Sequence, residues 1–484
     1  MSSENIDFDN IPSGIRTPGS YSEIDYSTAQ KSIPVNAQSM AIIGQKLAAG
    51  TATAEIPLKI FSEDDAIDAC GTGSIVHLAV RAALKAFKNI ELFIVPLDDA
   101  VGVQAEGTIT IATDATSSGN LKVWIGNEIV QIAIAEDDTP TIIALALNTA
   151  IAAKENLMPV TTGVAAGVVT LTARNDGTLG NNIAVSYKMT NVTGTTVVVV
   201  QPTGGSVDPD ITNALTAMYP SWFQKIFCTL NDATNLGLLK THLSDTNGVS
   251  SPTEKRRGMG IFGYNGDQTT LETLAGTTIN DGRMSVGYHP YTKTTENGHS
   301  LDYEIGAAYC AALTAERDPA KPMSEVVLTG IAAAALEDRL SFTQKESLFN
   351  NGVTPLVVGS GETVFIARAI TTYTTNLTGI PDISKLDVTT ITSADFFAFA
   401  VETSDQIKFG RQKMDIDAIP AVNTNHINVA FALQKLKILR NVEAHLDEFI
   451  GEEDLQNPGQ ANFILPSPVV PGLYVIASKL RVYL

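Results

Sequence analysis

Cysteine is nearly absent from this chain: only Cys70, Cys228 and Cys310 occur in 484 residues. An odd, widely spaced set with no CxxC pair excludes a disulfide framework and a zinc ribbon, and fits buried free thiols made in a reducing cytoplasm. Cations are also scarce, with 32 Lys and Arg against 52 Asp and Glu and a formal net charge of −20. Phosphate backbones are held by clustered cations, and the longest basic run is Lys255-Arg256-Arg257, so no direct partnership with nucleic acid is expected. No uninterrupted apolar stretch is long enough to span a bilayer, so membrane insertion is not expected either. The segment from Met1 to Asp9 is polar and acidic, unlike a signal peptide.

What remains is a chain able to build substantial cores. Hydrophobic residues make up 44% and charged residues 17%, and the length suits about two to four domains. From residue 41 to 96 the pattern reads strand, helix, strand. Ala41-Ile-Ile-Gly44 is a short apolar run. Ser62 stands before Glu63, Asp64 and Asp65 as an N-cap with acids in the first turn. Ile75 to Phe87 reads as a helix and Leu92 to Val95 as a buried strand. The alternation resumes with Ile226 to Cys228 (strand), Asn235 to His242 (helix), Gly260 to Gly263 (strand), Thr269 to Leu274 (helix) and Met284 to Val286 (strand). Such alternation implies a parallel sheet covered on both faces.

Between these halves, from about Val101 to Ser206, the chain is rich in Thr, Val, Gly and Ala. Thr108 to Ile111, Leu121 to Ile125 and Ile129 to Ile134 alternate as half-buried antiparallel strands do. Gly126-Asn127 supplies a two-residue turn, and Thr139-Pro140 opens a helix with proline at its first position. Val168 to Leu171, Ile183 to Tyr187 and Val197 to Val200 add further strands. This is a β-rich unit inserted into a loop of an α/β core, expected to face outward. Beyond Leu386, Thr392 to Ile407 reads as a helix with Phe396, Phe397 and Phe399 on its apolar face. Ile427 to Ile450 reads as a second long helix carrying Lys435, Lys437 and Arg440. At the ends, Ile15 to Ile24 reads as an extended edge strand. Gly472 to Leu484 alternates to the last residue, so that strand can stay in its own domain or complete a neighbour's sheet.

Motifs of chemistry give little. Gly258-Met-Gly-Ile-Phe-Gly263 fits GxGxxG, but its apolar residues lie inside the pattern, so it reads as a strand and not as a dinucleotide turn. Cys70-Gly-Thr-Gly-Ser74 precedes a helix and lacks the phosphate-loop lysine. The histidines, His77, His242, His289, His299, His426 and His445, accompany no nucleophile signature. His289 and His299 flank a Tyr/Thr-rich loop without metal-ligand spacing and are expected to be solvated. Asp98-Asp99, Glu136-Asp137-Asp138 and Glu452-Glu-Asp454 lack the spacing of a calcium loop. No cofactor, metal or catalytic residue is assigned, and the chain is not expected to be an enzyme.

Four short segments carry a resemblance: Ile15-Arg-Thr-Pro-Gly-Ser-Tyr21 with Glu23-Ile-Asp25, Asp318-Pro-Ala-Lys-Pro322 with Leu328-Thr-Gly330, Gly361-Glu-Thr-Val-Phe-Ile366, and Arg368-Ala-Ile-Thr-Thr-Tyr373. In this order they resemble the tail sheath proteins of contractile phages, the Mu-like branch in particular, from about Asn10 to the C-terminus apart from the β-insert. Lys321 departs from the family, where arginine is usual. The resemblance implies an α/β core of subtilisin-like topology, an inserted β-rich domain, and an α+β C-terminal domain with exchanged terminal strands. It divides the chain into an N-terminal arm (1–30), a split core (31–100 and 207–385), the insert (101–206), a C-terminal domain (386–471) and a C-terminal arm (472–484). It implies a virion protein, assembled in the host cytoplasm, that stacks as hexameric rings around a tail tube between baseplate and terminator and contracts for genome ejection. Ile15, Tyr21, Ile24, Leu473, Val475, Leu480 and Val482 become candidate inter-subunit arm residues, and Lys435, Lys437 and Arg440 candidate tube contacts. The alternatives are a hydrolase built on the α/β core, or the sheath of a phage-derived injection machine.

Overall fold

The computed structural model describes residues 16–22, 33–293 and 296–483; Ile15 and Ile24 lie outside them. The chain enters a nine-stranded sheet at β1 (Ser39–Gln45), whose residues are all buried. Next come β2 (Leu58–Ile60), α1 (Glu63–Cys70), α2 (Ile75–Ala86) and β3 (Glu91–Leu97). Ser62 caps α1 as expected: its hydroxyl accepts from the Asp65 amide while the Asp65 carboxylate accepts from the Ser62 amide, 3.2 and 3.0 Å. This reciprocal pairing satisfies amides that the first turn leaves free.

The β-rich segment follows: β4 (Gln104–Ala112), β5 (Gly119–Ile125), β6 (Glu128–Ile134), α3 (Pro140–Ala152), β7 (Val160–Ala165), β8 (Val168–Asp176), β9 (Val185–Thr190) and β10 (Thr196–Thr203). These strands form two antiparallel sheets, in the orders β10-β4-β8-β7 and β6-β5-β9. Their apolar interior is continuous with that of the main sheet. The contact is also polar. Asp99 accepts from Gln45 and Asn175 side chains at 2.6 and 2.9 Å, Arg81 of α2 pairs with Glu128 at 2.7 Å, and Asn182 donates to Asp302 at 2.7 Å.

The chain then returns through α4 (Thr212–Met218), β11 (Lys225–Cys228), α5 (Ala233–His242), β12 (Met259–Tyr264), α6 (Gln268–Thr273), β13 (Met284–Tyr288), α7 (Asp302–Ala315), β14 (Val326–Val327), α8 (Phe342–Asn350), β15 (Thr354–Val358) and β16 (Val364–Ile366). The main sheet runs β14-β16-β15-β13-β12-β11-β1-β3-β2. Its six inner strands, β15 to β3, are parallel, and β2, β16 and β14 join antiparallel at the edges. The Gly258–Gly263 pattern is indeed strand: a Cβ at Gly263 would lie 2.1 Å from Asp302 O, and one at Gly306 2.3 Å from Phe227 Cε2. These glycines let α7 settle onto the sheet. All three cysteines are buried.

A second, separate apolar cluster forms beyond the sheet, from α9 (Val388–Phe409), α10 (Ala418–Lys435) and the β17 (Ile450–Glu453) to β18 (Ala461–Ile464) hairpin. Here the expected helix from Ile427 to Ile450 is corrected. It begins at Ala418, because Pro420 sits in the first turn, where no amide is required. It ends at Lys435, because Lys437 and Asn441 adopt left-handed φ of 63° and 52°. Lys435, Lys437 and Arg440 therefore do not share one helix. Lys435 closes α10 and the other two lie in the loop beyond, all three exposed. His289 and His299 are also corrected, being 4% and 3% exposed rather than solvated.

Candidate assembly site

The segment from Arg368 to Tyr373 joins the two apolar clusters. Its backbone is fixed by the sheet: Ala369 N donates to Met323 O, Ile370 N to the Thr354 hydroxyl, and Thr372 N to Met284 O, at 3.0, 3.0 and 2.8 Å. Thr371 and Thr372 are fully buried, and their hydroxyls donate to Lys385 O and Asp281 O. Tyr373 Oη reaches Asp382 at 2.7 Å. Arg368, at the other end of the run, also turns outward. Its guanidinium makes a bidentate pair with Asp387, 2.8 and 2.9 Å, at the residue that precedes α9. It also stacks on the Tyr474 ring, 4.1 Å from the centroid, and burial raises the Tyr474 hydroxyl pKa.

Asp318 to Pro322 works beside it. The Asp318 carboxylate accepts from the Ala320 amide at 3.0 Å. Pro319 O accepts from Thr392 and Ser393 hydroxyls of α9 at 2.8 and 3.2 Å, and Ala320 belongs to the second cluster. Lys321, where the resembling family carries arginine, pairs with Glu316 at 2.8 Å. Gly330 has φ of 97° and its carbonyl accepts from Asn127 of the β-rich segment at 2.9 Å. Each of these motifs is therefore a joint between parts of the chain.

Past Val470, whose amide donates to Ile438 O at 3.1 Å, the last described residues leave the body. Residues 471–483 are extended and pair with no described strand. Tyr474 holds the segment to Arg368. Leu473, Val475, Ile476, Leu480, Val482 and Tyr483 are each at least 75% exposed. Of the other proposed arm residues, Tyr21 is 49% exposed and its hydroxyl donates to Thr17 O. The segment 16–22 is no strand within the chain.

His77 lies against Glu63 and accepts from the Gly73 amide. His289 faces the Ala332 and Leu356 carbonyls, burial lowering its pKa. His426 faces Asp405 and His445 faces Glu448. None of these four turns to a hydroxyl or thiol. Among the described residues no group of His, Cys, Asp and Glu is placed to hold a metal ion, and no helix is long and apolar enough to cross a membrane.

Residues 204–372, which hold the second half of the main sheet and end one residue before Tyr373, match the family model of the phage tail sheath protein central domain. Over those residues the chain is similar to that domain. Its similarity extends over the whole length to the Mu-like prophage FluMu tail sheath protein of Haemophilus influenzae, 26% identical over 98% of this chain and 99% of that one. In fold it is similar to a chain of the anti-feeding prophage baseplate, with TM-score 0.50 and 13% identity over 97% of this chain and 100% of that one. A sheath tail protein from Desulfitobacterium hafniense aligns at TM-score 0.47 and 12% identity, covering 92% and 99%. The mixed α/β architecture around a largely parallel sheet is a fold shared with the anti-feeding prophage baseplate chain.

The sheath motifs were legible in sequence, but two of the arginines that join the clusters were not. Arg257 makes a bidentate pair with Glu402 at 3.1 and 2.7 Å. Arg283 does the same with Asp395 at 2.9 Å twice, and also meets Asp245. A signal existed: Asp387, Asp395 and Glu402 recur at about two-turn spacing from the start of α9.

Proposed function

We propose that this chain is the structural subunit of a contractile phage tail sheath, polymerising around a tail tube and shortening to drive the tube through a host envelope during genome ejection. The observation that carries the reading is the apolar C-terminal segment, which leaves a folded body and exposes side chains that no described residue covers. Each such side chain gains about 1.5–3 kcal/mol on burial, so the segment is built to be covered by something else. An extended backbone here suits strand addition to a neighbouring copy, with Leu473 and Val475 on one face and Leu480 and Val482 on the other.

The receiving surface in this reading is the β17–β18 hairpin. It is a two-stranded sheet with exposed Ile450 and Ile464 and the acids Glu452 and Glu453. Lys479 and Arg481 of the incoming segment supply the opposite charge. Tyr21, with Ile15 and Ile24, belongs to the second arm. Residues 386–471 form the domain nearest the tube, with Lys435, Lys437 and Arg440 as its contacts. The insert from 101 to 206 lies at the outer surface. The core takes a subtilisin-like topology without its catalysis, and the partners are further copies in stacked hexameric rings, the tube, the baseplate and the terminator, assembled in the host cytoplasm.

Negative-stain electron microscopy of the purified chain across a concentration series tests this reading. Hollow striated tubes are the expected product, alone or once tube protein is added as template. Uniform small particles under both conditions would refute it.

A further inference from the structure

The sheet core and the C-terminal unit do not share an apolar interior; their buried side chains fall into two separate clusters. Between them lie ion pairs. Asp387, just before α9, and Asp395 and Glu402 within it stand eight and seven residues apart, close to two helical turns each. Each acid receives both arms of an arginine rooted in the core: Arg368, Arg283 and Arg257 respectively. The opposite face of α9 supplies Phe396, Phe397, Ala400 and Val401 to the second cluster. Beside the arginines lies a cavity of about 160 Å³ lined by Lys225, Arg257, Asp395, Trp222 and Phe399. Lys225 is 3% exposed there, and of the described residues only Gln38 accepts from its ammonium, at 3.2 Å.

We propose that this row is an electrostatic clasp that locks the C-terminal unit to the sheet core in one orientation, so that the two move as a single lever. Opening the clasp leaves both clusters folded but lets the C-terminal unit pull on the connection from residue 374 to 386, releasing the Lys385 and Leu386 carbonyls from the Thr371 hydroxyl and amide that hold them at 2.7 and 2.8 Å. The geometry supports this in three ways. Bidentate guanidinium–carboxylate pairs fix angle as well as distance. Three of them along about 22 Å of helix resist rotation about any axis across the seam. The side chains of Arg257 and Arg283 are 12% and 9% exposed, so neither pair is a surface contact of little weight. Apolar contact across the seam accompanies the pairs: Trp222 meets Phe399 at 5.2 Å, and Met259, Leu313 and Met323 of the core line the cavity with Val388 and Phe396 of α9. The inference concerns the single chain and stands whether or not the sheath reading holds.

The test is limited trypsin cleavage after Lys385, which lies in the connection, on the full chain and on an Asp395→Asn/Glu402→Gln variant. Asp387 is left intact because it precedes α9 and lies close to the scissile bond. The variant should be cut at Lys385 at least tenfold faster while circular dichroism remains that of the parent. Equal cleavage rates would overturn the clasp. Should the double variant fold poorly, charge exchange replaces it: Glu402→Arg alone should expose Lys385, and adding Arg257→Glu should restore protection. Failure of the exchange to restore it would likewise overturn the proposal.

Discussion

Arg368 is the residue whose loss reports most directly on both the joint and the C-terminal segment. Its guanidinium and Asp387 are 29% and 15% exposed at the side chain. Truncation to alanine leaves the carboxylate largely buried without its cation. Breaking a fully buried pair costs about 3–5 kcal/mol. The partial exposure of Arg368 and the helix N-terminus beside Asp387 both soften that penalty, giving about 2 kcal/mol here. The Tyr474 ring at 4.1 Å loses its cation as well, a contact worth about 0.5–1 kcal/mol. Arg368→Ala should therefore destabilise the C-terminal unit by about 2–3 kcal/mol and raise the concentration needed for polymerisation about fivefold, for about 1 kcal/mol of lost anchoring. Trp222, packed on Phe399 at the seam, reports the first quantity by fluorescence in urea, with Trp124 replaced by Phe. Sedimentation of polymers reports the second. Arg368→Lys keeps the charge but not the planar pairing or stacking, and should recover less than half of each. Unchanged urea midpoint and unchanged polymer yield in Arg368→Ala would refute the reasoning.

Deleting residues 472–484 should abolish ordered polymers, while the urea profile of the remaining chain shows a folded core. Gly306→Ala places a Cβ 2.3 Å from Phe227 Cε2 and 2.6 Å from Gly263 N, and should destabilise by about 1–3 kcal/mol. Gly237→Ala in α5, where a Cβ meets nothing within 4 Å, should stabilise by up to about 1 kcal/mol; thermal melts of both distinguish packing from helix propensity. Burial raises the Asp302 carboxyl to about 6. The folded chain then holds this proton more tightly than the unfolded one, so its ionisation costs stability as pH rises from about 4 to 6. Asp302→Asn should raise the melting temperature at pH 7 but not at pH 3.5, and equal shifts at both would contradict that account.

Much of the fold could be read from local pattern because the parallel sheet announces itself. Ile226 to Cys228 and Gly260 to Gly263 are short apolar runs, Met284 to Val286 is one interrupted only by Ser285, and each is a buried inner strand. Ser62 before three acids marked a helix start by the same local physics. The errors arose where tertiary context decides. Pro420 looks like a barrier but falls in a first turn, so α10 begins before it, and nothing in Lys437 itself foretells a left-handed backbone. His289 and His299 sit in a polar stretch, and distant packing makes them interior: the Ala332 to Ala334 loop lies beside both, His289 meets Leu356 O, and His299 stacks on Tyr291. The arginine pairs were invisible for a simpler reason. Arg257 and Glu402 are 145 residues apart, and Arg283 and Asp395 are 112 apart.

The two kinds of attachment in this chain differ in physics, and that difference assigns them different work. The seam is built from directional ion pairs, sheltered enough that mobile salt screens them weakly. The C-terminal segment offers apolar side chains on an extended backbone, a non-directional attraction that tolerates changes of angle. A polymer whose subunits must change their mutual packing without unfolding should therefore keep the seam fixed and let the arms flex. Solvent separates the two. Sulfate strengthens apolar burial by exclusion from protein surface, so it should promote polymerisation while leaving cleavage at Lys385 unchanged. Sodium chloride between 0.05 and 0.5 M, chosen to span Debye lengths of roughly 14 to 4 Å, should alter neither greatly. A sharp rise in Lys385 cleavage over that chloride range would mean that the arginine pairs are solvent-screened contacts, and the division of work between seam and arm would fail with them.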